Sequence, residues 1–433
     1  MLWGFIMEND YKDALNFLYS LQKYGIKFGL SKTENLLKKL DTPQKDLKFI
    51  HIAGTNGKGS VATYLNFILM NAGYRVGLYT SPHLVSFTER MRINGENISK
   101  RDVVHYTKLI KHVMDQSEPP TFFEAVTAMA IKYFADKKVD IVILETGMGG
   151  RLDATNIVDP ILTIITNVSL EHQEFLGNTI ESITKEKAGI IKDKIPLVTG
   201  INQEKSIQIV EDICMKKNAS MYVLERDFSC IQENGVYNYY GINHNYNGLK
   251  SGLNGIYQKN NLALALASIE ILNNKGFSTK DEHVINGVKQ AFWPGRMHIV
   301  SKAPIILLDG AHNIAAMHGL KESIKNMEYD KLILVIGIME DKDTKEILDI
   351  IVPMTDFTIY TRPNYYRAMD PFKLKEQYKK VHKYEIINNL ERAIVRAEHI
   401  ANEDDMILIT GSLFTVGEAL SILDPINYPT EEA

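Results

Sequence analysis

Apolar residues in the first half of the chain form short runs, each followed by a polar turn and an amphipathic helical pattern. The run Lys48 to Ala53 predicts a strand, and Val61 to Ala72 predicts the helix after it. Near-continuous apolar runs are typical of parallel strands that are buried on both faces. Further strands of this kind are predicted at Arg75–Thr80, Asp140–Leu144, Ile161–Thr166 and Pro196–Thr199. Strands that alternate with helices predict an α/β fold with a parallel, doubly wound sheet.

The alternation of strand and helix patterns changes in the second half of the chain. Phe228 to Gly252 is rich in Asn, Gly and Tyr, and predicts hairpins or a long loop. Helices are predicted from Gln258 to Leu272 and from Asp281 to Phe292, and Trp293-Pro294-Gly295 ends this series. New strands follow near Ile305–Leu308, Leu332–Ile336, Phe357–Tyr360 and Met406–Ile409. We therefore expect two domains, residues 1–297 and residues 298–433, with 424–433 as a frayed tail.

Composition narrows the class of protein. The chain has 433 residues, of which 45% are hydrophobic and 24% charged, with a net charge of −4. This balance lacks the basic excess of nucleic-acid binders, and no apolar run approaches the ~18 residues that span a bilayer. Cys214 and Cys230 lack metal-ligand spacing, which favours free thiols in a reducing compartment. We expect a cytoplasmic monomer without nucleic-acid or membrane partners.

The loop between the first strand and its helix has the sequence Gly54-Thr55-Asn56-Gly57-Lys58-Gly59-Ser60. Backbone N–H groups in such a loop point inward, and the helix N-terminus adds partial positive charge, so the loop suits phosphates. Lys58 can neutralise the β- and γ-phosphates, and the Ser60 hydroxyl can ligate Mg²⁺. The inserted Gly59 departs from the usual G-x-x-x-x-G-K-[ST] spacing. A tight glycine turn with an exposed lysine is the alternative, but the strand–loop–helix context favours a nucleotide site in a P-loop-type domain.

Polar residues that follow later strands are candidates for the same site. Glu145 comes directly after Asp140–Leu144 and opens a glycine-rich segment. Ligands bind beyond the carboxyl ends of parallel strands, so Glu145 can hold Mg²⁺, although a solvated strand-end glutamate is the alternative. His172 can be a metal ligand, a general base or an ordinary loop histidine. Lys187, beside Glu186 at a helix end, is by itself ordinary solvated charge.

Several segments together resemble the Mur ligase superfamily, and specifically its folylpolyglutamate synthase and dihydrofolate synthase members. These segments span most of the chain: Gly54–Ser60, Thr80–Leu84, Leu144–Asn156, Glu186–Ile190, Trp293–Arg296, Asp309–Asn313 and Asp341–Asp343. Thr146 and Met148 stand where related chains more often carry Val and Leu, and neither removes a ligand. The resemblance implies that the C-terminal domain is smaller and Rossmann-like.

The resemblance implies ATP as a substrate and two Mg²⁺ sites, with K⁺ as a further ion. The implied metal ligands are Ser60, Ser81, Glu145, His172 and Lys187. Lys187 matches the lysine that the family carbamylates, which replaces a cation with a carboxylate-like anion. The implied catalytic residues are Lys58, His172 and Lys187. Asn261 matches the adenine-side asparagine, Arg296 and Asp309 resemble phosphate and ribose contacts, and His312 resembles a residue of the same cleft.

For a pterin-bearing substrate, the resemblance implies contacts from Thr121-Phe122-Phe123-Glu124 and from Leu152. A planar pterin stacks well on aromatic faces. The alternative is that Phe122 and Phe123 form the core face of a helix. The segment Ile26-Lys27-Phe28-Gly29-Leu30 resembles an N-terminal substrate loop.

The implied reaction transfers the γ-phosphoryl group of ATP to a carboxylate, and the amine of L-glutamate then displaces phosphate. The implied acceptor is a reduced folate or dihydropteroate, and the sequence does not decide between them. A site shared between two domains implies that the C-terminal domain closes over ATP. Two alternatives stay open: a ligase that extends a UDP-linked cell-wall precursor, and a P-loop nucleotide switch that catalyses no ligation.

Overall fold

The computed structural model describes residues 2–25 and 29–431, with side chains from residue 8 onward. Most of the predicted substrate loop Ile26–Leu30 therefore lies outside the described residues. None of the described helices is long and apolar enough to cross a membrane.

Eight strands form the first sheet of the described chain. Their bounds are β1 Phe49–Ala53, β2 Val76–Tyr79, β3 Met91–Ile93, β4 Glu96–Asn97, β5 Ile141–Glu145, β6 Pro160–Ile165, β7 Leu197–Thr199 and β8 Met221–Val223. Their order is β4-β3-β2-β5-β1-β6-β7-β8, and the pairs from β2 to β8 are parallel. Since β1 lies between β5 and β6, the loops after these three strands meet at one edge of the sheet.

Helices cover both faces of this sheet, as predicted. Their bounds are α1 Leu2–Ser20, α2 Ser31–Lys39, α3 Lys58–Asn71, α4 Lys100–Val113, α5 Phe122–Asp136, α6 Gln173–Leu176, α7 Ile180–Ala188, α8 Glu204–Lys216, α9 Gln258–Asn273 and α10 Asp281–Gln290. Helices α3, α9 and α10 share one apolar core with the sheet, and α1, α2, α4 and α5 share another on the opposite face. Helix α3 begins at Lys58 rather than at the predicted Val61, because Gly57 caps it in a left-handed conformation.

The Asn- and Tyr-rich stretch forms a small antiparallel sheet, which agrees with the predicted hairpins. Its strands are β9 Ser229–Glu233, β10 Val236–Tyr240 and β11 Asn245–Leu249, in the order β11-β10-β9. The Tyr239 hydroxyl donates to Glu270 on α9 at 2.6 Å, which fixes this sheet against the first core.

The second domain has its own sheet, whose described strands are β12 His298–Lys302, β13 Ile305–Asp309, β14 Leu332–Ile336, β15 Phe357–Arg362, β16 Tyr384–Asn389 and β17 Met406–Thr410. Its helices are α11 Ile314–Ile324, α12 Thr344–Ile351, α13 Pro371–Glu376, α14 Leu390–Ile400 and α15 Leu413–Leu423. The strand order is β12-β13-β17-β14-β15-β16, parallel except at β12. The sequence pattern did not predict strands β12 and β16. Both are edge strands that mix polar and apolar residues, and their residues are partly buried or exposed.

The expectation of a frayed tail is wrong for the described residues up to 431. Tyr428 packs against the C-terminal core. The Glu431 carboxylate accepts hydrogen bonds from the Tyr11 hydroxyl at 2.5 Å, the Ser86 hydroxyl at 2.7 Å and the Phe87 N–H at 2.8 Å. These donors are far from Glu431 in sequence, so no local pattern could reveal the attachment.

Candidate active site

The phosphate loop takes its shape from glycine. Gly54 and Gly57 have φ angles of 150° and 85°, which side chains rarely tolerate. A β-carbon on Gly57 would also collide with the amide of Asn261 on α9. The loop thus depends on these two glycines for its backbone path and for the close approach of α9.

Residues after β6 hold the loop in place. The Thr55 N–H donates to the Asn167 carbonyl at 3.0 Å, and the Asn56 N–H donates to Asn167 Oδ1 at 3.0 Å. The Thr166 hydroxyl donates to the Asn56 carbonyl at 2.6 Å. With these groups satisfied, the loop is pre-organised before any ligand binds.

Lys58, Glu145 and Ser81 meet beside this loop. Lys58 Nζ donates to the carbonyls of Gly54 and Thr55 at 3.1 and 3.3 Å, and lies 3.9 Å from Glu145 Oε1. Glu145 Oε2 accepts from the Ser81 N–H at 3.2 Å. Burial raises the pKa of Glu145, and the charge of Lys58 partly opposes this. A buried carboxylate with so little compensation is a suitable ligand for a cation.

The N-terminal turn of α9 contacts the start of α3. Gln258 donates through Nε2 to the Ser60 hydroxyl at 3.3 Å, and its Oε1 accepts from Asn261 at 2.9 Å. All three side chains are buried. Asn261 was predicted from the resemblance, whereas Gln258 was missed because a helical glutamine carries no local signal of function.

A carboxylate and two histidines form a second group at the cavity. His312 Nε2 lies 3.3 Å from Glu171 Oε1, and His172 Nε2 lies 3.9 Å from the same oxygen. Burial lowers the pKa of His172 to about 4, and the charge of Glu171 only partly opposes this. Burial alone would raise the pKa of Glu171, but the His312 hydrogen bond and nearby cations hold it below its usual range. Glu171 was not predicted as a site residue.

Lys187 is buried at the C-terminal end of α7, with only 3% of its surface exposed. Burial, together with the charge of Lys58, lowers its pKa to about 7. The glycine-rich segment packs directly on this helix end. The Arg151 N–H donates to the Glu186 carbonyl at 2.7 Å, and a β-carbon on Gly150 would stand only 2.8 Å from the Lys187 carbonyl. The strand end after β5 and the lysine therefore form one wall.

Asp309 anchors the segment between the two domains. Its Oδ2 accepts from the Met297 N–H at 2.9 Å and the Tyr257 hydroxyl at 3.1 Å, and its Oδ1 accepts from the Ala311 N–H at 2.9 Å. Burial raises the pKa of Asp309, and the charge of Arg296 opposes this. Tyr257 was not predicted, because it becomes a partner of Asp309 only through the fold.

Asn56 and Asn313 connect the domains through a reciprocal pair of amide hydrogen bonds. Asn313 Nδ2 donates to Asn56 Oδ1 at 3.0 Å, and Asn56 Nδ2 donates to Asn313 Oδ1 at 3.3 Å. The phosphate loop therefore touches the N-terminal end of α11 directly.

A cavity of about 460 Å³ lies between the domains. Its volume is typical of small-molecule sites. Its lining includes all the predicted ATP and metal residues: Gly54–Ser60, Ser81, Glu145, His172, Lys187, Asn261, Arg296, Asp309 and His312.

The predicted pterin contacts lie beside this cavity rather than in its lining. Thr121 and Glu124 form a capping box at the start of α5: the Thr121 N–H donates to Glu124 at 2.7 Å, and the Glu124 N–H donates to Thr121 at 3.3 Å. The Phe122 ring stacks on Tyr19 at 5.5 Å between centroids. The Phe123 ring lies against Gly147. Leu152 is partly exposed on the glycine-rich segment.

Asp153, which was not predicted, organises the same segment. It accepts from the Thr155 hydroxyl at 2.5 Å and from the Met148 N–H at 2.8 Å. Thr155 in turn contacts His51 Nε2 at 2.8 Å, so a buried chain runs from β1 to the Met148 backbone.

The donor set suits a divalent cation that is shared with phosphate oxygens. Among the described residues, no group of three or more His, Cys, Asp and Glu side chains could hold a metal alone. The hydroxyls of Ser60 and Ser81 and the carboxylate of Glu145 are oxygen donors, which Mg²⁺ prefers together with waters and substrate phosphates.

Two family models match the chain, "Mur ligase middle domain" over residues 52–269 and "Mur ligase, glutamate ligase domain" over residues 295–413. The dihydrofolate synthase/folylpolyglutamate synthase of Bacillus subtilis (strain 168) is 34% identical over 437 residues, covering 95% of this chain and 99% of that protein. The chain belongs to this family of Mur ligases. The resemblance inferred from the sequence is thereby confirmed, as is the α/β fold with a largely parallel first sheet and a separate C-terminal α/β domain.

Solved structures of family members superpose on most of the chain. E. coli FolC in complex with DHPP and ADP has a TM-score of 0.88 at 29% identity, and covers 96% of this chain and 98% of its own. The bifunctional folylpolyglutamate synthase/dihydrofolate synthase of Yersinia pestis, complexed with AMPPNP and Mn ion, has a TM-score of 0.86 at 32% identity. It covers 95% of this chain and 98% of its own.

Proposed function

We propose that this chain is an ATP-dependent ligase that joins L-glutamate through an amide bond to a folate carboxylate, releasing ADP and phosphate. The convergence of Lys58 and Arg296 on one cavity beside Glu145 is the observation that carries this proposal. Cationic groups in a partly enclosed site stabilise negative charge that moves between phosphate and carboxylate oxygens. The activities named for the relatives agree with this chemistry.

ATP binds through the phosphate loop Gly54–Ser60. Backbone N–H groups of the loop and the start of α3 face the phosphates. Asn261 lies on the adenine side, Arg296 approaches from the segment at the domain boundary, and Asp309 and His312 approach from the other domain. The contacts between Asn56 and Asn313 support a nucleotide site that both domains complete.

Ser60, Ser81, Glu145, His172 and Lys187 would hold divalent cations in two sites, with K⁺ as a further ion. When bound, such a cation neutralises phosphate charge and orients the incoming carboxylate. Lys187 serves as a carbamate. Its buried amine has a pKa of about 7, so a large fraction is neutral and able to add to carbon dioxide with loss of a proton. The resulting anion also removes a buried ammonium from beside Lys58.

Ligation proceeds through an acyl phosphate. The acceptor carboxylate takes the γ-phosphoryl group while Lys58 and Arg296 neutralise its oxygens. The amine of L-glutamate then attacks the acyl carbon, and the bond to phosphate breaks. His172 is a candidate acceptor of the amine proton only through a ring nitrogen that holds no cation. Positioning and charge neutralisation are the main contributions of the protein.

The folate substrate lies towards α5, with Thr121, Phe122, Phe123, Glu124 and Leu152 along its path. The position of Phe123 against Gly147 supports this, because it joins α5 to the segment after Glu145. Residues 1–297 supply the folate and phosphate contacts, and residues 298–433 close on ATP and glutamate. The protein acts as a cytoplasmic monomer.

Acceptor specificity tests the proposal. ADP release should require both L-glutamate and a pteroyl acceptor, either dihydropteroate or tetrahydrofolate. ADP release with a UDP-linked cell-wall precursor instead would favour the other ligase class. ADP release that ignores glutamate would favour the nucleotide switch.

A further inference from the structure

Trp293, in the segment between the domains, lies against the first turn of α3. A β-carbon on Gly59 would stand 3.0 Å from the indole Nε1, 3.2 Å from Cε2 and 3.3 Å from Cζ2. Gly59 lies inside α3, and its φ is not in the left-handed region. Alanine is favoured over glycine in a helix, so the backbone gives no reason for glycine here. The indole occupies the space that a side chain at residue 59 would need.

Arg92 also packs on the indole. The guanidinium carbon of Arg92 lies 5.0 Å from the centre of the Trp293 ring. Arg92 is itself held, since its Nε donates to Asn97 Oδ1 at 3.0 Å and its Nη2 lies 3.7 Å from Glu89 Oε2. The indole is therefore in contact both with the Gly59 position and with a guanidinium that is itself held in place.

Glu89 extends this contact to the loop that carries Ser81. Its carboxylate accepts from the N–H groups of Leu84, Val85 and Ser86 at 2.9, 2.8 and 2.7 Å. Trp293 also lines, with Gly59, Ser81 and Glu145, a space of about 50 Å³ beside the phosphate loop. Arg296 follows Trp293 by three residues and lines the ATP cavity together with Lys58. The fit of the indole thus sets the spacing between the Lys58–Ser60 turn and Arg296.

We propose that Trp293 is a positioning residue for ATP: its indole fills the place that Gly59 leaves and fixes the Lys58–Ser60 turn relative to Arg296. This inference rests on the proposed use of ATP. It also accounts for the inserted glycine of the phosphate loop. Gly54 and Gly57 serve the backbone path, whereas Gly59 serves the packing of the indole.

A double-mutant cycle tests this fit. Gly59→Ala should lower kcat/KM for ATP by about tenfold, mainly through KM, because a loop displaced by a few tenths of an ångström misplaces the phosphates. Trp293→Leu removes the atoms that the new methyl group meets. In that background Gly59→Ala should cost less than about twofold, because directly contacting residues do not add independently. The proposal would be overturned if Gly59→Ala lowered kcat/KM for ATP by the same factor in both backgrounds, or lowered it in neither.

The neighbouring Phe292→Leu is the matched control, since Phe292 is exposed and packs on His298 rather than on the phosphate loop. It should leave kcat/KM for ATP unchanged, and a loss equal to that of Trp293→Leu would count against a specific role. KM for the folate acceptor should stay constant in all variants, and a parallel rise would indicate general damage instead.

A fluorescence measurement decides the question if Gly59→Ala does not fold. The chain has two tryptophans, so Trp3→Phe leaves Trp293 as the only indole. Addition of ATP and Mg²⁺ should change its emission, because the indole touches the turn that binds phosphate. Unchanged emission at saturating nucleotide would overturn the positioning role. Failure of the proposed function would show differently, as an absence of glutamate-dependent ADP release from the unaltered protein.

Discussion

Lys187 brings an amine into the protein interior and forms no ion pair within the described part of the chain. An ammonium in that position is unfavourable, since burial and the charge of Lys58 both oppose it. A carbamate would reverse the sign of the group and suit a cation beside Glu145. The physical state of this one side chain therefore bears directly on whether the site can bind two metals.

We expect Lys187→Ala to lower ligase activity by ~10²-fold or more, because the anion that would hold a divalent cation at the transferred phosphoryl group is lost. Formate or acetate should restore part of the activity by supplying the missing anion. Steady-state ADP release with and without the added carboxylate measures this. Lys185→Ala, on the exposed face of the same helix, is the control and should remain active. Full activity of Lys187→Ala would remove this lysine from the mechanism.

His51 shows a different effect of burial. It lies fully buried on β1, and burial, together with the charge of Lys192, lowers its pKa from 6.5 to about 3. Between these values the unfolded chain binds a proton that the folded protein does not. The stabilisation that neutral, buried His51 contributes to the free energy of unfolding is complete above pH 6.5 and is lost as the pH falls towards 3.

When the pH falls from about 7.5 to about 5, the free energy of unfolding of the unaltered protein should therefore fall by ~2 kcal/mol more than that of the His51→Gln variant. Glutamine does not titrate, but it can still donate to Thr155. Urea unfolding at the two pH values measures the difference. His318→Gln, at an exposed position on α11, should follow the unaltered protein. If the free energy of unfolding fell by the same amount in all three proteins, His51 would titrate normally.

Single residues with a strong local signal were predictable, and their partners were not. Lys58 and Glu145 follow buried strands, so the strand pattern alone placed them at one edge of a sheet. Lys187 needed the family resemblance, because Glu-Lys at a helix end is common. Glu171 and Tyr257 acquire their roles from neighbours distant in sequence, His312 and Asp309, and no pattern within their own segments indicates this.

At the scale of elements, the C-terminal tail is the clearest departure from expectation. Glu431 joins the tail to α1 and to the loop before β3 through Tyr11, Ser86 and Phe87. Its polar sequence suggested fraying, yet the carboxylate satisfies donors of the first domain. The edge strands β12 and β16 were missed for a related reason, since edges lack the apolar run of central strands.

Glu431→Ala should lower the free energy of unfolding by ~1–3 kcal/mol, because the Tyr11 hydroxyl and its neighbouring donors lose a shared acceptor. Chemical denaturation followed by circular dichroism measures this. Ile426→Ala is the control in the same tail, since Ile426 is 90% exposed. Equal stability of Glu431→Ala and Ile426→Ala would mean that the tail contributes nothing.

At the scale of the whole molecule, the site belongs to neither domain alone. The phosphate loop, Glu145 and Lys187 come from the first domain, and Asp309 and His312 come from the second. The sequence indicated two α/β series and a boundary between them. It could not indicate how the two units meet, because that depends on contacts such as Asn56 with Asn313.

ATP with a folate acceptor should draw the domains together. Small-angle scattering at saturating ligands should give a smaller radius of gyration than the free protein, because the proposed contacts of Arg296, at the domain boundary, and of Asp309, in the second domain, would draw that domain towards the nucleotide. Arg296→Ala should respond less, since one of these contacts is lost. A scattering profile that does not change with ligands would count heavily against closure.

The acyl phosphate is the centre of the account, and oxygen transfer tests it most directly. The acceptor, dihydropteroate or tetrahydrofolate, is labelled with heavy oxygen in its free carboxylate and incubated with ATP, Mg²⁺ and radiolabelled L-glutamate. Mass spectrometry of the released phosphate should find one labelled oxygen for the first glutamate joined to each labelled acceptor. Phosphate without the label, or ADP release without glutamate in the product, would contradict the proposed reaction.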